Sequence, residues 1–240
     1  MGFEEFAAVT LVVAVGSVVQ AISGVGAGFL IVPLLAWIDV SLIPGPVVLG
    51  SMSLSGTMGY RERRHIDFAH MPMVFLGMIP GAVAGAYLLS RVSFDELGMM
   101  FGAVMLIAII ITASGFRFPL TGGSACLAGA VAGVMGTSSG IGAPVLALLY
   151  QDQSGPRVRA TLAVLYAGAS FLIIIMLFGF GKFGIVEAVS GLLLMPGYML
   201  GYALSHRLTA RIDTGGTRAA VLLVSAAAAL SLILRGLPGF

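Results

Sequence analysis

The chain alternates apolar stretches with short clusters of charged residues, prolines and glycines. The apolar stretches cover residues 6–22, 29–38, 47–60, 71–90 and 97–115 in the first half, and residues 124–136, 145–150, 160–180, 185–205 and 218–234 in the second. A membrane-spanning helix needs about 20 predominantly apolar residues. The pattern therefore predicts an all-α integral membrane protein with about eight to ten membrane segments and no sizeable domain outside the bilayer.

The amino-acid composition predicts the same fold class. Of the 240 residues, 59% are hydrophobic and 9% are charged, whereas a soluble domain carries about 25% charged residues. Such an apolar chain cannot cover a soluble surface, so we expect the lipid bilayer to be its solvent. The one cysteine, Cys126, excludes an intrachain disulfide and a cysteine-based metal cluster. Because it lies in a glycine-rich apolar stretch, we interpret it as a small packing residue.

Two sequence blocks recur at a single offset of 116 residues. SGVGA at Ser23–Ala27 aligns with SGIGA at Ser139–Ala143, and Ile79–Gly81 aligns with Met195–Gly197. Because two separate blocks share one offset, we predict an internal duplication of the membrane domain.

The basic residues predict how the two repeats, residues 1–115 and 116–240, are oriented. If each SGxGA block is the tip of a re-entrant hairpin, each repeat makes three net crossings and the basic residues divide nine to three. If each broken segment crosses once instead, they divide six to six. The positive-inside rule favours the uneven division. The membrane side with nine basic residues holds Arg61, Arg63, Arg64, Arg117, Arg157, Arg159, Arg207, Arg211 and Arg218. The side with three holds Arg91, Lys182 and Arg235.

An odd number of crossings makes the second repeat run inverted relative to the first. Both termini are then predicted on the non-cytoplasmic side of the inner membrane. Two full spans in place of each hairpin give the same parity, so the charge distribution leaves both of these possibilities open. Inverted repeats with interrupted helices are the architecture of many secondary transporters, whose binding site lies where the interruptions meet near the midplane.

The two glycine-rich breaks are the sharpest candidates for a binding site. Interrupted helices persist in a membrane only inside protein or against a wet cavity, because unsatisfied backbone in lipid costs several kcal/mol per group. The helix after each break points its N–H groups and positive dipole end at the break, which favours an anion. The candidate residues are Ser23, Gly24, Gly26, Gly28, Thr137, Ser138, Ser139, Gly140 and Gly142. The alternative is that these glycines serve only close helix packing.

Polar residues inside the apolar stretches are candidates to line the same pathway. They are Gln20, three residues before the first break, Ser51 and Ser55, which share one helical face, and Thr161 and Tyr166 on the matching span of the second repeat. For each of them the alternative is a hydrogen bond to its own helix or to a neighbouring one.

Patterns for catalysis, metals and cofactors are not found in this sequence. No HExxH, GxSxG, Walker or Rossmann pattern occurs in the needed context. His65 and His70 are five residues apart in a loop, unlike the i, i+4 pair of a helical metal site. We therefore expect no enzymatic activity, no metal and no cofactor. The expected partners are a small anion and the bilayer, with no nucleic acid. The GxxxGxxxG ridge at residues 77–85 predicts close helix packing, within the chain or between the protomers of a homodimer.

The glycine-rich blocks also resemble those of a known transporter family. SGVGAGFLIVPLL at residues 23–35 and SSGIGAPVLALLYQ at residues 138–151 are similar to the paired signatures of the sulfite exporter TauE/SafE family, also called the toluene sulfonate uptake permease family. The resemblance covers essentially the whole chain. It implies transport of small sulfur-containing anions or organic acids, such as sulfite, sulfonates and sulfoacetate.

The sequence departs from this family's common three-glycine form in both blocks. Ala27 interrupts the first block, and Ala143 and Pro144 follow the second GxG. Remoter relatives that import thiosulfate use cysteines along their path, and with Cys126 alone that mechanism is not expected here.

The leading hypothesis is a secondary transporter of small anions, with sulfite or an organosulfonate as substrate, that works by alternating access. A channel-like anion pore and a transporter of small organic carboxylates are alternatives of the same class. A membrane-embedded enzyme or an accessory subunit belongs to a different class. An enzyme should place ionisable residues deep in a span, but Asp39 and Glu187 fall near the ends of predicted segments.

Overall fold

The structure, a computed structural model, describes residues 2–24, 27–115, 119–208 and 214–235, and in these ranges it contains ten α-helices and no strand. The first five are α1 (Phe3–Ser23), α2 (Ala27–Ile38), α3 (Gly45–Arg61), α4 (Met71–Arg91) and α5 (Leu97–Ala113). The other five are α6 (Gly122–Ser139), α7 (Ala143–Leu149), α8 (Gly155–Gly179), α9 (Ile185–Leu208) and α10 (Thr214–Arg235). The prediction of an all-α membrane protein is confirmed.

Four of the described helices are long and apolar enough to cross a membrane. They cover Glu4–Ser23, Met71–Arg91, Gly155–Gly179 and Ile185–Ser205. Twenty helical residues reach about 30 Å, which matches the hydrocarbon core of a bilayer. Shorter apolar helices cover Ala27–Ile38, Leu97–Ala113 and Val221–Leu234. Helix α6 is built largely of Gly, Ala, Ser and Thr and is mostly buried, because neighbouring helices rather than lipid surround it.

Helix α8 begins earlier than its apolar stretch suggests. The apolar residues start at residue 160, but the helix starts at Gly155 with Pro156 in its first turn. Proline suits this position, because its fixed φ matches the helix and its missing N–H would have no partner in the first turn. The early start places Arg157 and Arg159 on the first two turns of α8 instead of in a loop.

The helix boundaries follow the offset of 116 residues that relates the two sequence blocks. Helix α1 ends at Ser23 and α6 ends at Ser139. The next residues, Gly24 and Gly140, both adopt the left-handed conformation with φ 78°. Glycine takes up this conformation without the steric cost of a Cβ atom and so ends a helix cleanly. The two breaks therefore share the same backbone geometry at the point where the first helix stops.

The two halves of the chain are packed into each other. Helix α4 packs along α6, α1 packs along α9, and α3 lies against both α8 and α9. Helices α5 and α10 also pack together and run antiparallel, since Gly98 lies near Leu232 and Gly102 lies near Ala229. Most of the interhelical contact thus joins the first half of the chain to the second.

The glycine ridge of α4 is used within the chain. A Cβ on Gly77, Gly81 or Gly85 would collide with a backbone carbonyl of Cys126, Ala130 or Val134 in α6. Small residues let two helix backbones approach this closely, which strengthens van der Waals packing where lipid supplies no hydrophobic driving force. Of the two alternatives for the ridge, the structure shows packing between α4 and α6.

Candidate functional site

A small cavity lies between the two helix breaks. Its volume is about 80 Å³, and because one buried water needs about 10–15 Å³ on this scale, it has room for several waters or one small anion. Ala27 and Gly28 line it from the first break, and Gly140 and Gly142 line it from the second. A Cβ on Gly28 would lie 3.8 Å from the carbonyl oxygen of Gly140. The two breaks therefore meet at this cavity.

The cavity lies level with the middle of the long helices. Met78 of α4, Tyr166 of α8 and Tyr198 of α9 all line it. Each of these residues falls in the middle third of its helix, and each of these helices is long enough to cross a bilayer. The cavity therefore lies near the midplane of the membrane-spanning bundle.

Two buried polar side chains line the cavity without a partner. Gln20 is 7% exposed and Ser170 is 5% exposed. In the part of the chain that the structure describes, neither side chain makes a hydrogen bond to protein. Both side chains are therefore available to bond a ligand in the cavity.

Three further hydroxyls at the cavity are bonded to backbone. The Tyr166 hydroxyl donates to the carbonyl of Ala143 at 3.3 Å, and the Tyr198 hydroxyl donates to the carbonyl of Val47 at 3.3 Å. The Ser51 hydroxyl donates to a carbonyl of its own helix at 2.8 Å. The Tyr166 bond ties α8 to the first residue of α7, and the Tyr198 bond ties α9 to α3. These side chains hold the walls of the cavity in place.

The electrostatics of the cavity favour an anion weakly rather than strongly. No charged side chain is present among the described residues that line it. Helix α2 begins at Ala27, and Ala27 and Gly28 line the cavity, so the N-terminal end of α2, whose first N–H groups have no intrahelical acceptor, lies at the cavity. The N-terminus of such a helix carries about half a positive charge. Helix α7 also begins there, but its seven residues give it a smaller dipole.

The structure brings together six of the residues predicted for the site. The cavity is lined by Gln20, Gly28, Ser51, Gly140, Gly142 and Tyr166. They come from both halves of the chain and from five different segments. Gly26, another predicted residue, lies outside the described residues.

Several predicted hydroxyls instead bond the helix that carries them. Ser23 donates to the carbonyl of Val19 at 2.7 Å, and Ser139 donates to that of Met135 at 2.8 Å. Ser138 also points to the Met135 carbonyl, at 3.4 Å. Serine in an apolar helix commonly satisfies its hydroxyl in this way, and these three bonds keep the hydroxyls on their own helices.

The other predicted residues lie away from the cavity. Thr137 packs beside Gly85 of α4, and Ser55 is buried one turn beyond Ser51. The hydroxyls of Thr137 and Ser55 are buried without a partner. Thr161 accepts the N–H of Asp67 at 3.0 Å and so fixes the loop between α3 and α4.

Sequence reasoning did not select two polar residues that line the cavity, Ser170 and Tyr198. Ser170 lies four residues after Tyr166 on α8 and therefore shares its face, a spacing that could have revealed it. Tyr198 follows Pro196-Gly197 in the second repeat, whereas the corresponding position in the first repeat is Ala82. No pattern in the sequence distinguishes Tyr198 from an ordinary interfacial tyrosine.

A second, more open depression lies at the end of the bundle where α3 ends and α8 begins. Its residues are Tyr60, Arg61, Glu62, Arg63, Arg64, His65, Pro156 and Arg159. We call it the basic depression. Across it, Nε of Arg159 lies 3.2 Å from Oε1 of Glu62 and joins the two halves of the chain by an ion pair. Among the described residues, no group of three His, Cys, Asp or Glu side chains is placed to hold a metal ion.

Comparison with known proteins adds one match that covers most of the chain. The family model described as Sulfite exporter TauE/SafE matches residues 9–232. The matched region includes both breaks and every residue that lines the central cavity. Searches of curated proteins and of solved structures found no match.

Proposed function

The chain belongs to the sulfite exporter TauE/SafE family, and on that premise we propose that it is a secondary transporter of small sulfur-containing anions. Sulfite or an organosulfonate is the proposed substrate. One observation carries the proposal: in a chain of this family, the two glycine-rich breaks meet at one buried cavity without charged walls. The family is one of membrane sulfite exporters, so transport across a membrane is the expected activity of this chain.

In the proposed binding mode, neutral donors hold the anion. The first N–H groups of α2, the amide of Gln20 and the hydroxyl of Ser170 are the donors that the cavity offers. Hydrogen bonds to an anion are about twice as strong as neutral ones. A fixed Lys or Arg would bind the anion more tightly than a transporter can release at each cycle, so an uncharged cavity suits turnover.

The proposed mechanism is alternating access between two inverted repeats. The shared left-handed geometry at Gly24 and Gly140 supports a duplication, and the antiparallel course of α5 and α10 supports its inversion. Helices related by a two-fold axis in the membrane plane run antiparallel, as this mechanism requires. The two halves share the cavity, so a rocking motion of one against the other would open it to alternate sides.

The proposed orientation places the basic depression in the cytoplasm and both termini on the other side. Arg61, Arg63 and Arg64 follow α3, and Arg157 and Arg159 begin α8 at the same end of the bundle. Arg91 and Lys182 fall at the opposite end, after one further membrane-length helix in each case. This distribution supports the positive-inside assignment.

Flux measurements with the purified chain in liposomes test the proposed function. We expect saturable sulfite or sulfonate flux that is accelerated by unlabelled anion on the opposite side, because a carrier exchanges its substrate. Flux that never saturates and shows no counterflow would indicate a channel-like pore. Flux of carboxylates alone would retain the carrier mechanism and reject the substrate. No flux of any anion by the chain alone would reject the proposal.

A further inference from the structure

We propose that the basic depression is a second binding site for a small oxyanion, which the transported anion occupies through Arg159 before it enters the central cavity. The second site depends on the proposed function only for the identity of this anion. The depression brings four arginines and His65 together with a single carboxylate, Glu62. Such an excess of positive charge raises the local concentration of anions at its surface.

The guanidinium of Arg159 is only partly used by the protein. Its Nε donates to Oε1 of Glu62, and among the described residues its terminal nitrogens have no acceptor. An arginine offers five N–H donors in a planar fork that fits the oxygens of an oxyanion. The unused edge of this fork belongs to a side chain that is 30% exposed. Arg159 can therefore bind an anion in the depression without first unfolding any element.

The carboxylate of Glu62 is also incompletely satisfied. Its Oε1 accepts from Arg159, whereas its Oε2 is buried and has no partner among the described residues. The negative charge of Glu62 lies beside the unused edge of the Arg159 fork, so it competes with an incoming anion for the same cation. Removal of this charge should therefore favour the anion.

Arg159 connects the depression to the first break. A Cβ on Gly24 would lie 2.9 Å from Cγ of Arg159, so the aliphatic part of this side chain rests directly on the break. The N–H of Gly24 bonds the carbonyl of Gln20 at 2.7 Å, and Gln20 lines the central cavity. One arginine thus contacts both the outer depression and the glycine that ends α1, four residues after Gln20.

The second break has no comparable arginine. At the offset of 116 residues, the residue that corresponds to Arg159 is Ile43, which is buried. A Cβ on Gly140 would instead meet Val32, Pro44 and Val48 at 3.6–3.9 Å. The arginine is therefore not a requirement of the left-handed glycine, which both breaks share, and its presence at one break alone points to a role in binding.

The test isolates the outer site by filling the inner one. In a Gly28→Leu background, whose leucine would occupy the central cavity, we would titrate the purified protein with sulfite by calorimetry. We expect Arg159→Gln to weaken the remaining binding about tenfold, as the loss of a charge-assisted hydrogen bond predicts. Glu62→Gln should strengthen it several-fold, roughly as expected when a competing charge is removed. The sulfite affinity of Arg159→Lys should fall between those of the unchanged protein and Arg159→Gln.

Arg157→Gln is the matched control. Arg157 lies two residues away on the same helix turn, is exposed and hydrogen bonds Gln153, and it does not line the depression. This variant removes the same charge from the same end of the molecule, and we expect its sulfite affinity to change by less than about twofold. Equal weakening by Arg157→Gln and Arg159→Gln, or weaker binding after Glu62→Gln, would overturn the proposal. Circular dichroism of each variant confirms that it is folded.

A lipid headgroup phosphate presents the same chemistry and is distinguished by a second arm of the test. In nanodiscs, anionic lipid should leave sulfite binding at the Gly28→Leu variant unchanged relative to zwitterionic lipid. Strong competition by anionic lipid that Arg159→Gln abolishes would assign the depression to a headgroup and overturn the entry role. If Gly28→Leu itself leaves wild-type sulfite binding unaltered, the central site fails, while the comparison of Arg159 with Arg157 still decides the outer site.

Discussion

The glycines that end the helices before the two breaks have the same left-handed conformation and very different surroundings. Gly24 and Gly140 end their helices in the same left-handed conformation, yet Gly24 lies under the stem of Arg159 and Gly140 lies against apolar side chains. A left-handed glycine meets the backbone's need at the end of a helix in both places. The residues that cover this glycine differ, and they leave a cation at one break and an apolar wall at the other.

The largest expected effect comes from leucine at the glycines that follow the breaks. At Gly28 a new Cβ meets only the carbonyl of Gly140, at 3.8 Å, so Gly28→Leu should fold and fill the cavity. At Gly142 a Cβ would lie 2.7 Å from the backbone carbonyl of Ala132, so Gly142→Leu should disturb the packing of the second break against α6. We expect both variants to lose transport, but only Gly142→Leu to lose thermal stability or yield in detergent.

Gly28→Ala is the control for the first of these variants. Its single methyl group leaves most of the cavity open, so flux should fall only modestly while stability is unchanged. If Gly28→Leu transports like the unchanged protein, the anion does not pass between the two breaks.

Alanine at the two left-handed glycines gives the next largest effect. A non-glycine residue in this conformation costs about 1–2 kcal/mol, and both Gly24→Ala and Gly140→Ala should lower the unfolding temperature. Gly24→Ala should lower it further, because its Cβ lies 2.9 Å from Cγ of Arg159, whereas the nearest atom at Gly140 is 3.6 Å away. Thermal unfolding in detergent measures the difference.

Asparagine provides the matched comparison, because it tolerates the left-handed region better than alanine. Gly140→Asn should recover part of the lost stability. Gly24→Asn should recover less, since its side chain still meets Arg159. Equal losses of stability at the two positions would show that the Arg159 side chain moves aside without cost. The two breaks would then not differ as the contacts indicate.

The fold class, the offset between the repeats and the two breaks could be predicted from the sequence, because each depends on a local pattern. Apolar length predicts a span, and a glycine-rich block after a serine predicts where a helix stops. The contacts of individual side chains depend on helix rotation and tilt, which a local pattern does not contain. Thr161 therefore fixes a loop instead of lining the cavity, and Tyr198 lines it from a position with no polar counterpart in the first repeat.

An amide near the first break has no counterpart near the second. Gln20 lines the cavity from the first repeat, and the corresponding residue of the second repeat is Gly136, which also lines it. Because the Gln20 amide lines the cavity and makes no hydrogen bond to the described protein, Gln20→Leu breaks no bond in the fold and should leave thermal stability unchanged or raise it by less than about 1 kcal/mol. The same change removes a donor to the anion and should lower sulfite affinity about tenfold. Stability and binding measured on one preparation would separate the two effects.

Ser170→Ala is the companion variant for this prediction. It removes the other unpartnered polar group of the cavity and should shift stability and affinity in the same directions by a smaller amount. If Gln20→Leu lowers stability instead, the amide has a partner that holds the fold, and its role as an anion donor would be rejected.

The smallest effect is expected at the serines that precede the two breaks. Ser23 and Ser139 each donate to the carbonyl four residues earlier, at 2.7 and 2.8 Å, but Ser23 is exposed whereas Ser139 is fully buried. Because each hydroxyl bonds its own helix, alanine at either position should leave the half-saturation concentration for sulfite within about twofold, which corresponds to less than about 0.5 kcal/mol. Ser139→Ala should cost about 0.5–1 kcal/mol of stability and Ser23→Ala less, since only the buried bond is sheltered from water. A tenfold loss of affinity in Ser139→Ala alone would mean that this hydroxyl turns towards the anion during transport, and the second break would then contribute a side-chain donor as well as a wall.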